Sequence, residues 1–362
     1  MQGGDLRDTA TTWESAAYLK DVWMHEIGHG LGLAHEHQRA DSPYRYGQPI
    51  DGLPYWNYDA ASIMNYGRPH DATLTAGDVA AVQYLYMRDD HYFQNLAGDY
   101  NGDGRDDILR VVDSFHLNEL YLADPAGGFS AAPAFNIKNT WLGHSNRTFG
   151  SMSADFSGDG ATDILRWCND YSCNELYVSN RDGSFTASPA FNVKNTWVAH
   201  NNNSFGSFVA DFTGDGAADI LRWCNDYTCN ELFVSNRDGS FTASPAFNVK
   251  NTWISHSKQT FGSYIADFNG DGAADILRVC NEYSCNALYL SNRNGSFTNS
   301  PAFNVYDTWI FHSNRTFGSY IGDFDGDGDD DILRYCDSYS CHVLYLSDGD
   351  GSFTPSTAFN IA

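Results

Sequence analysis

The sequence predicts a mainly β protein: a β-propeller of five four-stranded blades, preceded by a small α-helical segment. Three observations predict it. From about Phe93 onward the 362-residue chain repeats itself with a period of 56 residues. Each repeat holds four short alternating or apolar stretches parted by Gly-containing turns, the strand pattern of a propeller blade. Ahead of the repeats, two histidines stand four residues apart, a spacing that places both on one face of a helix. The expected division is therefore residues 1–90 and residues 91–362.

Composition narrows the function classes. Net charge is −25, from 46 acidic against 21 basic side chains, which disfavours nucleic acid and anionic membrane surfaces as partners. With 42% hydrophobic and 15% aromatic residues, the chain is too apolar to be disordered. No run of about 20 apolar residues predicts a transmembrane helix. The N-terminus also lacks the basic and apolar regions of a signal peptide.

The N-terminal segment carries His25-Glu26-Ile27-Gly28-His29-Gly30-Leu31-Gly32-Leu33-Ala34-His35. On a helix His25 and His29 reach one ion, and Gly32 can turn the chain so that His35 supplies a third nitrogen. Three protein ligands leave the fourth position of Zn²⁺ to water, and Glu26 is placed to take a proton from it. The stretch fits H-E-x-x-H-x-x-G-x-x-H and so resembles the metzincin metallopeptidases. Ser62-Ile63-Met64-Asn65-Tyr66-Gly67 is similar to their Met-turn, centred on Met64. Glu36 and Arg39 after the third histidine, and Tyr66 two residues beyond Met64, favour the astacin family, while Gly28 and Leu31-Gly32-Leu33 also resemble matrixins and serralysins. That resemblance implies a zinc endopeptidase acting on protein or peptide. In it Glu26 shuttles the proton, and Tyr66 is an extra zinc ligand that swings aside to stabilise the oxyanion. It also implies a β-rich upper half of the cleft, whereas only 24 residues precede His25, and Met1 to Ala10 show no strand pattern.

The repeats follow. Each opens a nine-residue acidic loop: Asp99, Asp155, Asp211, Asp267 and Asp323 stand at position 1. Position 3 is Asn101, Ser157, Thr213, Asn269 or Asp325, and position 5 is Asp103, Asp159, Asp215, Asp271 or Asp327. Position 9 is Asp107, Asp163, Asp219, Asp275 or Asp331, with Gly at position 6 throughout. Hard oxygens at alternate places in a tight loop suit Ca²⁺. The backbone carbonyl of position 7 (Arg105, Ala161, Ala217, Ala273, Asp329) is an expected addition. About five Ca²⁺ sites are expected, one per repeat. An EF-hand would need Glu at position 12, where Arg110, Arg166, Arg222, Arg278 and Arg334 stand instead. These arginines are expected to be structural partners of the acidic loop. Phe149-Gly150, Phe205-Gly206, Phe261-Gly262 and Phe317-Gly318 complete a resemblance to FG-GAP (VCBS-type) repeats, as in integrin propellers and certain propeller lectins.

The eight cysteines keep the same period, as Cys168/Cys173, Cys224/Cys229, Cys280/Cys285 and Cys336/Cys341. In the first repeat both places change together, to Val112 and Leu117, as partners would. A local disulfide across a hairpin in each of four blades is expected, and with it an oxidising, extracellular setting. Trp-x-x-His recurs at Trp141/His144, Trp197/His200, Trp253/His256 and Trp309/His312. Such pairs suit sugar faces, and equally suit packing between blades with each His bonded to backbone. The sequence thus predicts a secreted, astacin-like zinc endopeptidase whose calcium-binding propeller attaches it to glycan or protein. Its alternative is a calcium-dependent, lectin-like adhesive propeller with an inactive peptidase remnant.

Overall fold

The computed structural model describes residues 93–113, 118–144, 146–312, 316–337 and 341–359. These residues form five antiparallel four-stranded sheets, the predicted propeller blades. Blade 1 comprises β1 (Phe93–Gly98), β2 (Asp107–Val112), β3 (Glu119–Ala123) and β4 (Phe129–Ala131). Blade 2 runs β5 (Phe149–Ala154), β6 (Asp163–Cys168), β7 (Glu175–Ser179) and β8 (Phe185–Ala187). Blade 3 is β9 (Phe205–Ala210), β10 (Asp219–Cys224), β11 (Glu231–Ser235) and β12 (Phe241–Ala243). Blade 4 is β13 (Phe261–Ala266), β14 (Asp275–Cys280), β15 (Ala287–Ser291) and β16 (Phe297–Asn299). Blade 5 closes the series with β17 (Phe317–Gly322), β18 (Asp331–Cys336), β19 (Val343–Ser347) and β20 (Phe353–Pro355). The first strands of consecutive blades approach one another, and each acidic loop is the turn from a first strand to a second.

The second strands show why the sequence reads as a short apolar run. A blade flanked by two others is covered on both faces, so neighbouring residues can both be buried although they point opposite ways. Ile164 joins the apolar core shared with blade 1, while Leu165 joins the one shared with blade 3, and both are fully buried. Ile220 and Leu221 split in the same manner, as do Ile276 and Leu277. The fourth-strand phenylalanine completes each joint: Phe185, Phe241, Phe297 and Phe353 meet Tyr100, Phe156, Phe212 and Phe268 of the preceding blade edge-on, with centroids 5.9–6.0 Å apart. Burial of each such ring stabilises its joint by about 2–3 kcal/mol.

Polar staples accompany the cores. Asn118, Asn174, Asn230 and Asn286 are buried, and each donates from Nδ2 to the carbonyl of Thr140, Thr196, Thr252 or Thr308 at 2.7–2.8 Å. Their Oδ1 atoms accept the N–H of the last residue of the second strand. This ties the hairpin to the segment leading into the next blade.

All eight cysteines are paired as the sequence predicts: Cys168 with Cys173, Cys224 with Cys229, Cys280 with Cys285, and Cys336 with Cys341. Their Cα–Cα separations are 5.8–6.0 Å. The first cysteine of each pair ends a second strand, whereas Cys173, Cys229, Cys285 and Cys341 precede the third strand and lie in the connecting turn. The ladder of second and third strands ends at Arg166–Glu175 and its counterparts, short of both cysteines, so each bridge closes the turn of the hairpin.

The two ends of the series differ from its middle. Phe129, the blade 1 counterpart of Phe185, is 53% exposed, and Phe324, the blade 5 counterpart of Phe268, is 47% exposed. Each end thus presents one uncovered half of a joint.

Candidate functional site

The acidic loops are built by their own carboxylates. In loop 1 the Asp99 carboxylate accepts the N–H of Asp103 at 3.0 Å and of Gly104 at 2.7 Å, curling positions 1 to 6 into a ring. Loops 2, 3 and 4 repeat both bonds through Asp155, Asp211 and Asp267. In loop 5 Asp323 accepts from Gly326 and Gly328. Oxygens of Asp323, Asp325 and Asp327 lie within 4.8 Å of one another. The position-9 carboxylates lie deepest, at 0% exposure. Asp219 accepts from Phe212 N–H at 3.0 Å on one oxygen and from Ser235 N–H at 2.9 Å on the other. Asp107, Asp275 and Asp331 are held in the same way, and Asp163 accepts from Ser157 and Ser179 N–H instead.

Among the described residues none of these five buried carboxylates has a basic side chain as ion-pair partner. Burial, followed by repulsion from the acids at positions 1 and 5, outweighs the N–H bonds that favour ionisation. Asp163 and Asp219 are each pushed up to about 7, and Asp275 to about 8. Burial raises Asp107 and Asp331 as well. Several oxygen donors around an uncompensated buried acid fit a hard divalent cation, which would supply the missing positive charge. The predicted donors at positions 1, 3, 5, 7 and 9 share one loop in every repeat, and among the described residues three of their carboxylates approach within 4.8 Å in loop 5 alone.

The arginines that serve these loops are not those expected from the sequence. Those at position 12 turn away from the acids. Arg110, Arg166 and Arg222 pair with Glu119, Glu175 and Glu231 across the second and third strands. Arg166, Arg222, Arg278 and Arg334 also donate to the carbonyls of Cys173, Cys229, Cys285 and Cys341, so the second cysteine of each bridge anchors this arginine as well. The register explains this, because Arg222 faces Glu231 directly in the ladder. The loop partners are instead Arg181, Arg237 and Arg293, from the hairpin between third and fourth strands. Arg237 donates to the Asp215 carbonyl of its own loop and, at 2.6 Å, to the Gly158 carbonyl of the preceding loop. Arg181 and Arg293 do the same at the joints before and after. Position 4 must be glycine here: its φ is +66° at Gly158, and a Cβ would lie 2.7 Å from the Arg237 guanidinium. Proline (Pro125) and glycine (Gly349) stand at the equivalent places in blades 1 and 5.

Further bonds link loop to loop. The position-8 N–H groups of Thr162, Ala218, Ala274 and Asp330 donate to the position-1 carbonyl of the preceding loop at 2.7–2.8 Å. Ser179, Ser235, Ser291 and Ser347 donate from Oγ to the position-2 carbonyl of that loop at 2.6–2.7 Å. The acidic loops thus form part of the joints between blades.

A family model described as "FG-GAP-like repeat" matches residues 99–166, 155–222 and 267–334, together more than half of the chain. The chain belongs to the FG-GAP-like repeat family. The chain is 27% identical over 259 residues to a T-cell immunomodulatory protein of Rattus norvegicus, covering 66% of this chain and 40% of that one. An astacin-like metalloendopeptidase of Gallus gallus is 32% identical over 93 residues, covering 20% of this chain and 22% of its own length. The chain therefore spans well under half of either relative. Among solved structures, a lectin of Agrocybe aegerita described as recognising non-reducing terminal N-acetylglucosamine aligns with a TM-score of 0.59. That alignment has 19% identity and covers 75% of this chain and 67% of the lectin, a likeness of fold.

In the FG-GAP repeats the Trp-x-x-His pairs sit within the joints. Trp197 stacks on Phe205 of the next blade, centroids 5.6 Å apart at 10°, and meets Tyr171 of its own blade edge-on at 4.6 Å. Trp253 and Trp309 repeat both contacts, and Trp141 stacks on Phe149. His144, His200, His256 and His312 each lie against the tryptophan of their own pair, with ring centroids 4.7–5.0 Å apart. His144, His200 and His256 accept a backbone N–H on Nδ1 from the residue two further on. The His312 backbone N–H donates to the Phe317 carbonyl at 3.3 Å, which ties the last pair to blade 5. Of the two uses open to these pairs, sugar contact or packing, the rings of Trp309 and His312 serve packing, as do those of the other three. The reason is that Phe149, Phe205, Phe261 and Phe317 of the next blade cover a face of each indole.

Two tryptophans not singled out in the sequence, Trp167 and Trp223, lie flat over Gly150 and Gly206. A Cβ on either glycine would fall 2.5 Å from the indole, so the glycine of each Phe-Gly pair is a seat for this ring. The zinc motif (His25, Glu26, His29, His35), Met64 and Tyr66 lie outside the described residues.

Proposed function

We propose that this chain is a secreted, calcium-dependent adhesive propeller, lectin-like in action, that carries an astacin-like zinc endopeptidase segment. The observation that carries the adhesive part is the five fully buried position-9 carboxylates, none with a basic partner among the described residues, in loops set at the joints of a fold shared with a lectin. Cations there would hold neighbouring blades in one geometry, so that a surface spanning several blades is fixed only when the loops are filled. Four local disulfides fit an extracellular setting. Among the described residues no helix is long and apolar enough to cross a membrane.

A glycan array probed with the full chain, in millimolar calcium and again in chelator, tests this function. Binding to defined glycans that disappears in chelator is expected. Equal binding in both, or none in calcium, would remove the adhesive assignment.

The zinc segment supports a second activity on two observations: the complete H-E-x-x-H-x-x-G-x-x-H motif and the partial likeness to an astacin-like metalloendopeptidase. In this assignment His25, His29 and His35 hold zinc, Glu26 carries the proton, and Tyr66 assists the oxyanion. Purified protein should bind one zinc and cleave a denatured protein substrate, and Glu26→Gln should abolish cleavage while keeping the metal. Zinc binding with no cleavage by either form would leave the inactive-remnant alternative.

A further inference from the structure

Blades 2 and 3 flank a half-open surface cleft of about 430 Å³. Trp167 and Trp223, which occupy the same place in their repeats, both line it, together with Phe205. Arg147, His200 and Asn203 line it as well. Each indole rests on a bare glycine, which holds it flat against its own blade. His200 accepts the Asn202 N–H on Nδ1, so its neutral form keeps its proton on Nε2 and offers a donor there. The chain has 46 acidic residues, yet among the described residues none lines this cleft. That disfavours cations and basic peptides as natural occupants and favours a ligand of apolar faces edged by hydroxyl groups.

The cleft is also singular. Where blades 2 and 3 carry Trp167 and Trp223, blades 1, 4 and 5 carry Val111, Val279 and Tyr335. Only the joint between blades 2 and 3 therefore has an indole on each side. Resting on the lectin-like function proposed above, we infer that this joint is a saccharide-binding cleft in which Trp167 and Trp223 pack against pyranose faces. Amide, imidazole and guanidinium groups take the hydroxyls. Its volume suits the terminal one or two sugar residues of a glycan, at the lower end of ligand-site sizes. The ring-to-indole contact provides most of the affinity, because aromatic anchors dominate small interfaces of this kind. The Trp-x-x-His rings act from behind: Trp197 fixes Phe205, and His200 alone among those histidines lines this cleft.

The test compares the full chain with Trp223→Val and with the double variant Trp167→Val/Trp223→Val, all in calcium. Valine is the residue that blades 1 and 4 already hold at this place, so the repeat tolerates it. Unchanged melting temperature and calcium stoichiometry establish intact folding. Glycans found by array are titrated by calorimetry and by indole fluorescence. Trp223→Val should weaken binding at least about tenfold, the double variant should abolish it, and sugar should shift the emission of the parent protein. If the parent binds a glycan and the double variant binds it equally well, the cleft is not the site, although the lectin-like function stands. If the parent binds no glycan at all, that function and this inference fall together.

Discussion

Calcium removal should turn the buried position-9 aspartates into a pH-dependent destabilising element. Asp163 and Asp219 are displaced from 3.8 to about 7, and Asp275 to about 8. At about 1.4 kcal/mol per pKa unit, ionising either of the first two inside the metal-free fold costs on the order of 4 kcal/mol, and Asp275 costs somewhat more. The sign follows from proton counting. Above about pH 4 the unfolded chain releases protons that the native state keeps, so stability is full below that pH. It is then lost progressively as pH rises through about 7 to 8, at about 1.4 kcal/mol per pH unit for each group still titrating. A whole domain is stable by only about 5–15 kcal/mol, so three such groups matter. In chelator the melting temperature should therefore fall by at least about 10 °C between pH 5 and pH 8. Calcium binds the ionised form, so in millimolar calcium the decline should disappear or reverse. Thermal unfolding followed by circular dichroism across that range, with and without chelator, measures both trends. A melting temperature in chelator that is flat or rises with pH would refute the argument from burial and repulsion.

Other outcomes follow from single contacts. Asp219→Asn removes one ionisable donor of loop 3. Calorimetric stoichiometry should drop by one calcium from about five, and the pH dependence in chelator should shrink by about a third. Arg237→Ala deletes bonds to two loop carbonyls at the joint of blades 2 and 3, and should destabilise by about 1–3 kcal/mol in denaturant unfolding. Gly158→Ala forces a Cβ against that same guanidinium at positive φ, and should cost a comparable amount. A non-reducing peptide map should find every cysteine paired, and replacing Cys224 and Cys229 with serine should cost roughly 2 kcal/mol. Eight reactive thiols would contradict the paired cysteines.

Much of the fold was legible because every copy of the repeat had to satisfy the same geometry. Asp99, Asp155, Asp211, Asp267 and Asp323 marked the loops, and the shared change to Val112 and Leu117 marked the cysteine partners. Contacts made between repeats were harder to see. A position-12 arginine is close to the acids in sequence, but the strand carries its side chain away toward the third strand. Arg237 reaches Gly158 from 79 residues further along the chain, a distance over which spacing gives no hint. The Trp-x-x-His motif was conspicuous because it recurs, and from Trp141/His144 to Trp309/His312 the structure places it in the joints. Trp167 and Trp223 were inconspicuous because only two blades carry them. A search for departures from the repeat, rather than for its constants, would have found them.

The split of Ile-Leu in each second strand bears on how such arrays change length. Because the isoleucine serves the blade before and the leucine the blade after, the unit that must stay matched is a seam, not a blade. Excising a whole 56-residue copy from the middle would bring a Leu165-type face against an Ile276-type face, the pairing already used at the other seams. Cutting out half a copy would strand two mismatched surfaces. Blade number is thus free to drift by gene duplication in whole repeats while the Ile/Leu pairing of the seams is preserved, and selection on length need not retune those cores.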